Sequence, residues 1–125
     1  MATPAHARVT RDVEPEALRD LVTHPPRATV AFMDDGGPEL LPARARLDVT
    51  PHRFGVAADS APDLHDREVV VVVDDGPYWF QLRGVSVRGT ARRATEPAGT
   101  VATLAWYTLD ATRVLAWDYG RVRLA

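Results

Sequence analysis

Val69-Val70-Val71-Val72-Val73-Asp74-Asp75-Gly76-Pro77, followed by Tyr78-Trp79-Phe80-Gln81-Leu82-Arg83-Gly84-Val85-Ser86-Val87-Arg88-Gly89-Thr90-Ala91-Arg92-Arg93, decides the fold. Five consecutive β-branched residues favour an extended strand, and Asp-Asp-Gly-Pro supplies turn chemistry that lets the second limb return as a hairpin partner. The valine run has no polar alternation, which predicts a strand buried on both faces. In the second limb Tyr78, Phe80 and Leu82 share one face, but from Val85 onward the apolar set moves to Val85, Val87 and Ala91. A one-residue change of phase predicts an irregularity at Arg83-Gly84, where a bulge would bend the strand and let the sheet curl into a barrel. The mouths and seams of barrels are where small ligands bind.

The flanking sequence supplies the rest of such a sheet. Residues 40–50 alternate, with Leu41, Ala43, Ala45, Leu47 and Val49 pointing in and Arg44, Arg46 and Asp48 pointing out. Residues 28–33 form a strand that enters the turn Asp34-Asp35-Gly36-Gly37-Pro38, and residues 54–58 form another after Pro51-His52. Pro15 opens a short helix with Ala17, Leu18, Leu21 and Val22 on one face, and Pro25-Pro26 stops it, so it serves as a barrel cap. Residues 59–68 read as a connecting loop with at most one helical turn. Residues 103–108 and 112–118 read as two strands separated by Leu109-Asp110-Ala111. The expected architecture is mainly β: a barrel of six to seven antiparallel strands with one N-terminal cap helix, a single domain over residues 13–125, and a loose tail over residues 1–12.

A chain of 125 residues is long enough for a self-sufficient core. It has no cysteine, which excludes disulfides, thiolate metal sites and cysteine nucleophiles. A net charge of -2 gives no general attraction to nucleic acid or anionic membranes, and no apolar run approaches the roughly 20 residues of a spanning helix. The N-terminus lacks the apolar core of a signal peptide, so a cytoplasmic location is expected. All 15 basic residues are arginine, and lysine, asparagine and isoleucine are absent, the mark of a GC-rich genome such as an actinobacterial one. Any anion must therefore be held by guanidinium forks.

Five phrases in order resemble the pyridoxamine 5'-phosphate oxidase-like split β-barrel family. They are Arg27-Ala28-Thr29-Val30-Ala31-Phe32 leading to a Gly-Gly-Pro turn, Leu41-Pro42-Ala43-Arg44, the valine strand ending in Asp74-Asp75-Gly76, Val87-Arg88-Gly89-Thr90-Ala91, and Thr112-Arg113-Val114-Leu115-Ala116-Trp117-Asp118. The resemblance implies a homodimer that binds FMN, the deazaflavin F420 or haem at the subunit seam. It implies an oxidoreductase acting by hydride transfer on a small organic substrate. Pyridoxamine phosphate oxidation itself is not expected, because the chain is shorter than those oxidases and lacks their C-terminal substrate motif.

Arg44 and Arg46 lie two residues apart on one strand face, so their guanidiniums start roughly 7 Å apart and can converge on one phosphate. The resemblance gives this strand the cofactor phosphate; the alternative is a solvated face. Ser60 occupies a position that in flavin-binding relatives helps hold the phosphate at a helix start, but the basic position beyond it is Pro62. Asp59, Asp63 and Asp66 would repel a phosphate, with Arg67 the nearest compensating charge. His65 is the histidine in this loop and the candidate axial ligand if the cofactor is haem. Trp79, Gln81 and Arg83 share a face suited to a flavin edge or a wet dimer interface. Trp106, Tyr107, Trp117 and Tyr119 form a second aromatic group whose readings are packing first and stacking against a partner's cofactor second. No catalytic triad or metal-ligand spacing stands out, which leaves open a cofactor-free binding or structural descendant of the barrel.

Overall fold

The computed structural model describes residues 14–75, 83–95 and 103–118. A 3-10 turn, Pro15–Leu18, runs into helix α1, Arg19–Thr23, and seven strands follow: β1 Arg27–Asp34, β2 Gly37–Pro42, β3 Arg44–Arg46, β4 His52–Ala57, β5 Glu68–Asp74, β6 Arg83–Ala94 and β7 Leu104–Asp118. They form one antiparallel sheet in the order β2-β1-β5-β6-β7-β4-β3. Its two ends, β2 and β3, are consecutive in sequence. Residues 37–42 pair with β1, the Ala43 N–H bonds the Ala28 carbonyl at 3.0 Å, and residues 44–46 pair with β4. One continuous stretch thus joins both ends of the sheet and curls it into a split barrel.

The inner face holds the core. Val30, Phe32, Phe54, Val69, Val71 and Val73 are buried, and Leu18 and Leu21 plug the barrel from the cap. Gly37, at φ +118, takes the left-handed conformation that the β1–β2 turn requires and that glycine adopts without a Cβ clash.

Four expectations are corrected. The single strand expected over residues 40–50 is two, β2 and β3, which part at Ala43 to pair with β1 and with β4, and strand pairing ends at Arg46, short of Leu47 and Val49. Val69, Val71 and Val73 are buried but Val70 and Val72 are half-buried, so β5 covers one face with core and presents the other as an outer surface. The final two strands are one: Leu109, Asp110 and Ala111 stay in register with Ala91, Thr90 and Gly89, so the polar Asp110 decorates the outside without breaking the ladder. The irregularity lies not at Gly84, where pairing with both neighbours is regular, but at Arg88/Gly89 against β7. Arg88 faces Arg113 and Gly89 faces Ala111, leaving Thr112 as the extra residue, its Oγ1 donating to the Arg88 carbonyl at 3.2 Å. The phase change was read from residues 78–82, which lie outside the described residues.

Gly84 and Gly89 instead allow close approach. A Cβ on Gly84 would stand 2.1 Å from Cζ2 of Trp117, and one on Gly89 would stand 2.2 Å from the Asp110 carbonyl oxygen. A side chain can be shortened and a backbone cannot. Gly84→Ala is expected to cost about 1–3 kcal/mol, largely recovered when combined with Trp117→Leu, whereas Gly89→Ala resists rescue by any side-chain change. Urea unfolding of the single and double variants measures this; a Gly84→Ala cost that Trp117→Leu leaves untouched would show that the indole is not the obstacle.

Candidate functional site

Arg44 and Arg46 emerge where the chain passes from β2 to β3, with Ala45 between them buried in the core. Period-2 alternation puts both guanidiniums on the outside. Across the sheet Arg44 faces Gly55, which faces Trp106, and a Cβ on Gly55 would lie 2.9 Å from Cε2 of that indole. Glycine at 55 therefore lets Trp106 lie against the strand beside Arg44.

Arg44, Ala45, Arg46 and Trp106 wall a groove of about 420 Å³, completed by Arg27 and by Pro25 and Pro26 after the cap helix. Arg46 reaches Asp48 at 3.5 Å and Arg27 pairs with Asp74. Arg44 makes no ion pair or side-chain hydrogen bond with a described residue. Trp106 is 4% exposed, and its Nε1 has no hydrogen-bond partner among the described residues. Arg53, opposite Arg46, continues the basic surface and reaches the Thr95 carbonyl at 3.5 Å. Three guanidiniums around one concavity, one of them unengaged by any described residue, have the chemistry to receive an anion with several oxygens.

The other candidate residues are distributed elsewhere. Ser60 is exposed in a turn, its N–H on the Ala57 carbonyl at 3.3 Å, and it does not line the groove. No helix begins within residues 59–67, so no helix N-terminus stands there. Arg67 donates to the Met33 carbonyl and packs over the Phe32 ring at 5.2 Å. Met33 is five residues along β1 from Ala28, roughly 16 Å from the groove end. Arg83 binds Asp75 and Asp20, tying the cap helix to the β5–β6 end, and both carboxylates, Asp75 first, push its pKa up. Trp79, Gln81 and Tyr119 lie outside the described residues.

The acidic loop is held by arginines of β6. Asp63 pairs with Arg93, and Asp66 with Arg92, which also reaches Asp110. Leu64 is fully buried and donates its N–H to the Tyr107 hydroxyl at 3.0 Å; that hydroxyl faces Asp63 at 3.4 Å, and the Tyr107 ring stacks on Phe54. Two of the three carboxylates expected to repel a phosphate are thus neutralised. His65 Nδ1 accepts the Arg93 N–H at 2.9 Å, which in a neutral ring places the proton on Nε2, 3.5 Å from Asp66. Neither nitrogen then offers a free lone pair to iron. Among the described residues no group of three metal-ligating side chains occurs.

The Arg93 hydrogen bond lowers the pKa of Asp63 below its usual 3.8. A depressed carboxylate contributes stability above the unfolded pKa and loses it as pH falls through the folded one. The melting-temperature gap between the native chain and Asp63→Asn is expected to be small at neutral pH and to close below about pH 3.8. A gap that stays constant into acid would assign the effect to packing.

Arg27, Arg53 and Trp106 were not singled out from sequence as a binding set. Arg27 and Arg53 carried no distinguishing pattern in a chain whose every basic residue is arginine. Trp106 was read with its neighbours as packing, and only the pairing of Gly55 with both Arg44 and Trp106 brings it to the groove.

No protein-family model matches the chain, and no curated protein matches it. Several solved structures share its fold. A conserved hypothetical protein from Mycobacterium tuberculosis aligns with TM-score 0.66 at 18% identity, over 100% of this chain and 94% of its own. The FAD binding protein from Mycobacterium smegmatis aligns with TM-score 0.60 at 16% identity, covering 84% and 94%. A candidate pyridoxamine 5'-phosphate oxidase from Corynebacterium glutamicum gives TM-score 0.60 at 11% identity, covering 85% and 94%. The fold is that of the pyridoxamine 5'-phosphate oxidase-like split barrels.

Proposed function

We propose that the chain is a flavin- or deazaflavin-binding split-barrel oxidoreductase that works as a homodimer on a small organic substrate. The observation that carries this reading is the groove in which Arg27, Arg44 and Arg46 surround one concavity with Arg44 unengaged by any described residue. Its donors suit a phosphate: planar forks that match phosphate oxygens two at a time. When bound, an isoalloxazine or deazaflavin ring would supply the hydride-transfer chemistry, leaving the protein to position and desolvate. Arg44 and Arg46 would hold the phosphate, and Trp106 would form the apolar wall beside them. The flavin named for one structural neighbour supports the same class of ligand.

Dimerisation is supported by the outer sheet face. Leu40, Ala31 and Val70 lie side by side across β2, β1 and β5, and Leu40 and the nearby Met33 are 69% and 65% exposed. A second copy covering this strip would remove apolar surface from water.

The loop over residues 59–67 favours a second reading. With Pro62 where a basic residue is expected, and no helix start, the barrel can also be a cofactor-free binding protein. Titrating the purified protein with FMN, F420 and haemin, following flavin or deazaflavin fluorescence and haem absorbance, separates these. Saturable binding of FMN or F420 is expected, with weak or no haemin binding; failure of all three ligands removes the oxidoreductase reading and leaves the cofactor-free one.

A further inference from the structure

The barrel is split on one side, and the split holds a second pocket that the groove does not reach. Strand β4 leaves β7 at the His52–Leu109 pair, while β7 continues to Asp118 against β6. Beside this departure is a pocket of about 340 Å³, enough for a ligand of roughly a dozen non-hydrogen atoms. Its walls are Val22 from the cap helix, Leu47 from the β3–β4 connection, Val85 and Val87 from β6, and Val114 from β7. Val114 faces inward, paired with the buried Val87, yet is 39% exposed because the sheet is open at this point.

Among the described residues, two polar side chains line this apolar pocket, Glu14 and His52. His52 Nδ1 lies 3.0 Å from the Val49 carbonyl. A carbonyl can only accept, so Nδ1 carries the proton, and in the neutral ring Nε2 keeps its lone pair. The Glu14 carboxylate stands just before the 3-10 turn and makes no side-chain cap bond. Nor does it make an ion pair with a described residue. Among the described residues the pocket thus offers two acceptors, one of them anionic, and no arginine lines it.

We infer that this pocket binds a small amphipathic amine, its hydrocarbon or aromatic body against the valines and its ammonium donating to Glu14 and His52. An ammonium brings three donors and a positive charge, the complement of this pair, whereas a carboxylate or phosphate would meet repulsion and no donor. The site is separate from the arginine groove, which selects the opposite charge, and does not depend on cofactor binding there.

The test uses two probes with one body and opposite heads, 2-naphthylmethylamine and 2-naphthoate. Each is titrated into the full chain, followed by naphthalene fluorescence anisotropy and by the imidazole NMR signals of the four histidines. The amine is expected to bind saturably and shift the His52 signals, with the carboxylate clearly weaker. Val114→Trp, at a partly exposed position, should fill the opening and abolish binding. Glu14→Gln should weaken the amine up to about fivefold, as expected for a partly solvated charge pair, and narrow its advantage over the carboxylate. Arg44→Ala, which alters the separate groove, should leave the affinity for the amine unchanged. Absence of saturable amine binding, binding that survives Val114→Trp, or equal affinity for both heads would each overturn the inference.

Discussion

Phe54→Ala is expected to destabilise the fold by about 3–5 kcal/mol, the range for truncating a buried phenylalanine. Phe54 is fully buried, and its ring stacks on Tyr107 with centroids 5.2 Å apart and planes 19° from parallel. The cavity cannot close cheaply, because Phe54 sits on β4 between the edge strand β3 and the long β7, whose backbones are fixed by cross-strand pairing. The damage extends past the core, since the Tyr107 hydroxyl holds the buried Leu64 and, through it, the loop whose acids pair with β6. Domains of this size are stable by roughly 5–15 kcal/mol, so a loss of this order would lower the melting temperature by roughly 10–20 °C. Denaturant unfolding followed by circular dichroism reads it directly. Tyr107→Phe, which keeps the stack but leaves the Leu64 N–H without its partner, should cost less, about 1–3 kcal/mol. A loss under about 1 kcal/mol for Phe54→Ala would mean that this stack is not a centre of the core.

The barrel was legible because its strands obey short-range rules. The alternation through Leu41, Ala43 and Ala45 and the β-branched run from Val69 each imply extended chain whatever surrounds it, although the first stretch is shared between β2 and β3 and its pairing stops at Arg46. What could not be read is how far each strand extends and where it bends. Asp110 is polar and Ala111 small, so residues 109–111 look like a break, yet cross-strand pairing with β6 carries the strand through them. Glycine permits a bulge at Gly84, but there the missing side chain makes room for the Trp117 ring. Glycine marks a place where something must come close, and the sequence does not say what.

The candidate site shows the same division. Arg44 and Arg46 share a face by periodicity alone, and the groove they line was within reach. Arg67 and Arg83 had the right charge, but a side chain's engagement is a tertiary property: Arg67 is occupied by the Met33 carbonyl and the Phe32 ring, and Arg83 by two carboxylates. Arg27 enters the groove only because the split barrel brings the start of β1 against the β2–β3 junction, where Ala43 bonds Ala28. The expected repulsion by the acidic loop is reduced by Arg92 and Arg93, more than 20 residues further along the chain.

Arg44→Glu is the substitution expected to affect ligand binding most. Arg44 is exposed and pairs with no described residue, so replacing it should leave the unfolding midpoint nearly unchanged and isolate the effect on binding. If the groove holds a cofactor phosphate, loss of the guanidinium removes charge-assisted hydrogen bonds worth about 1.5–3 kcal/mol, and the new carboxylate adds repulsion. At 1.4 kcal/mol per factor of ten, FMN affinity should fall at least about 100-fold in Arg44→Glu and about 10- to 100-fold in Arg44→Ala. Riboflavin has the same ring and no phosphate, so its weaker affinity should not distinguish the two variants from the native chain. Arg67→Ala should leave FMN affinity within about twofold, because that guanidinium is already engaged elsewhere. Raising the salt concentration should weaken FMN binding to the native chain more than to Arg44→Ala, since ions screen the interaction that the variant has lost. Equal FMN affinity in the native chain and Arg44→Glu would remove the phosphate from this groove, whereas a parallel loss of riboflavin would mean that the substitution disturbs the ring site instead.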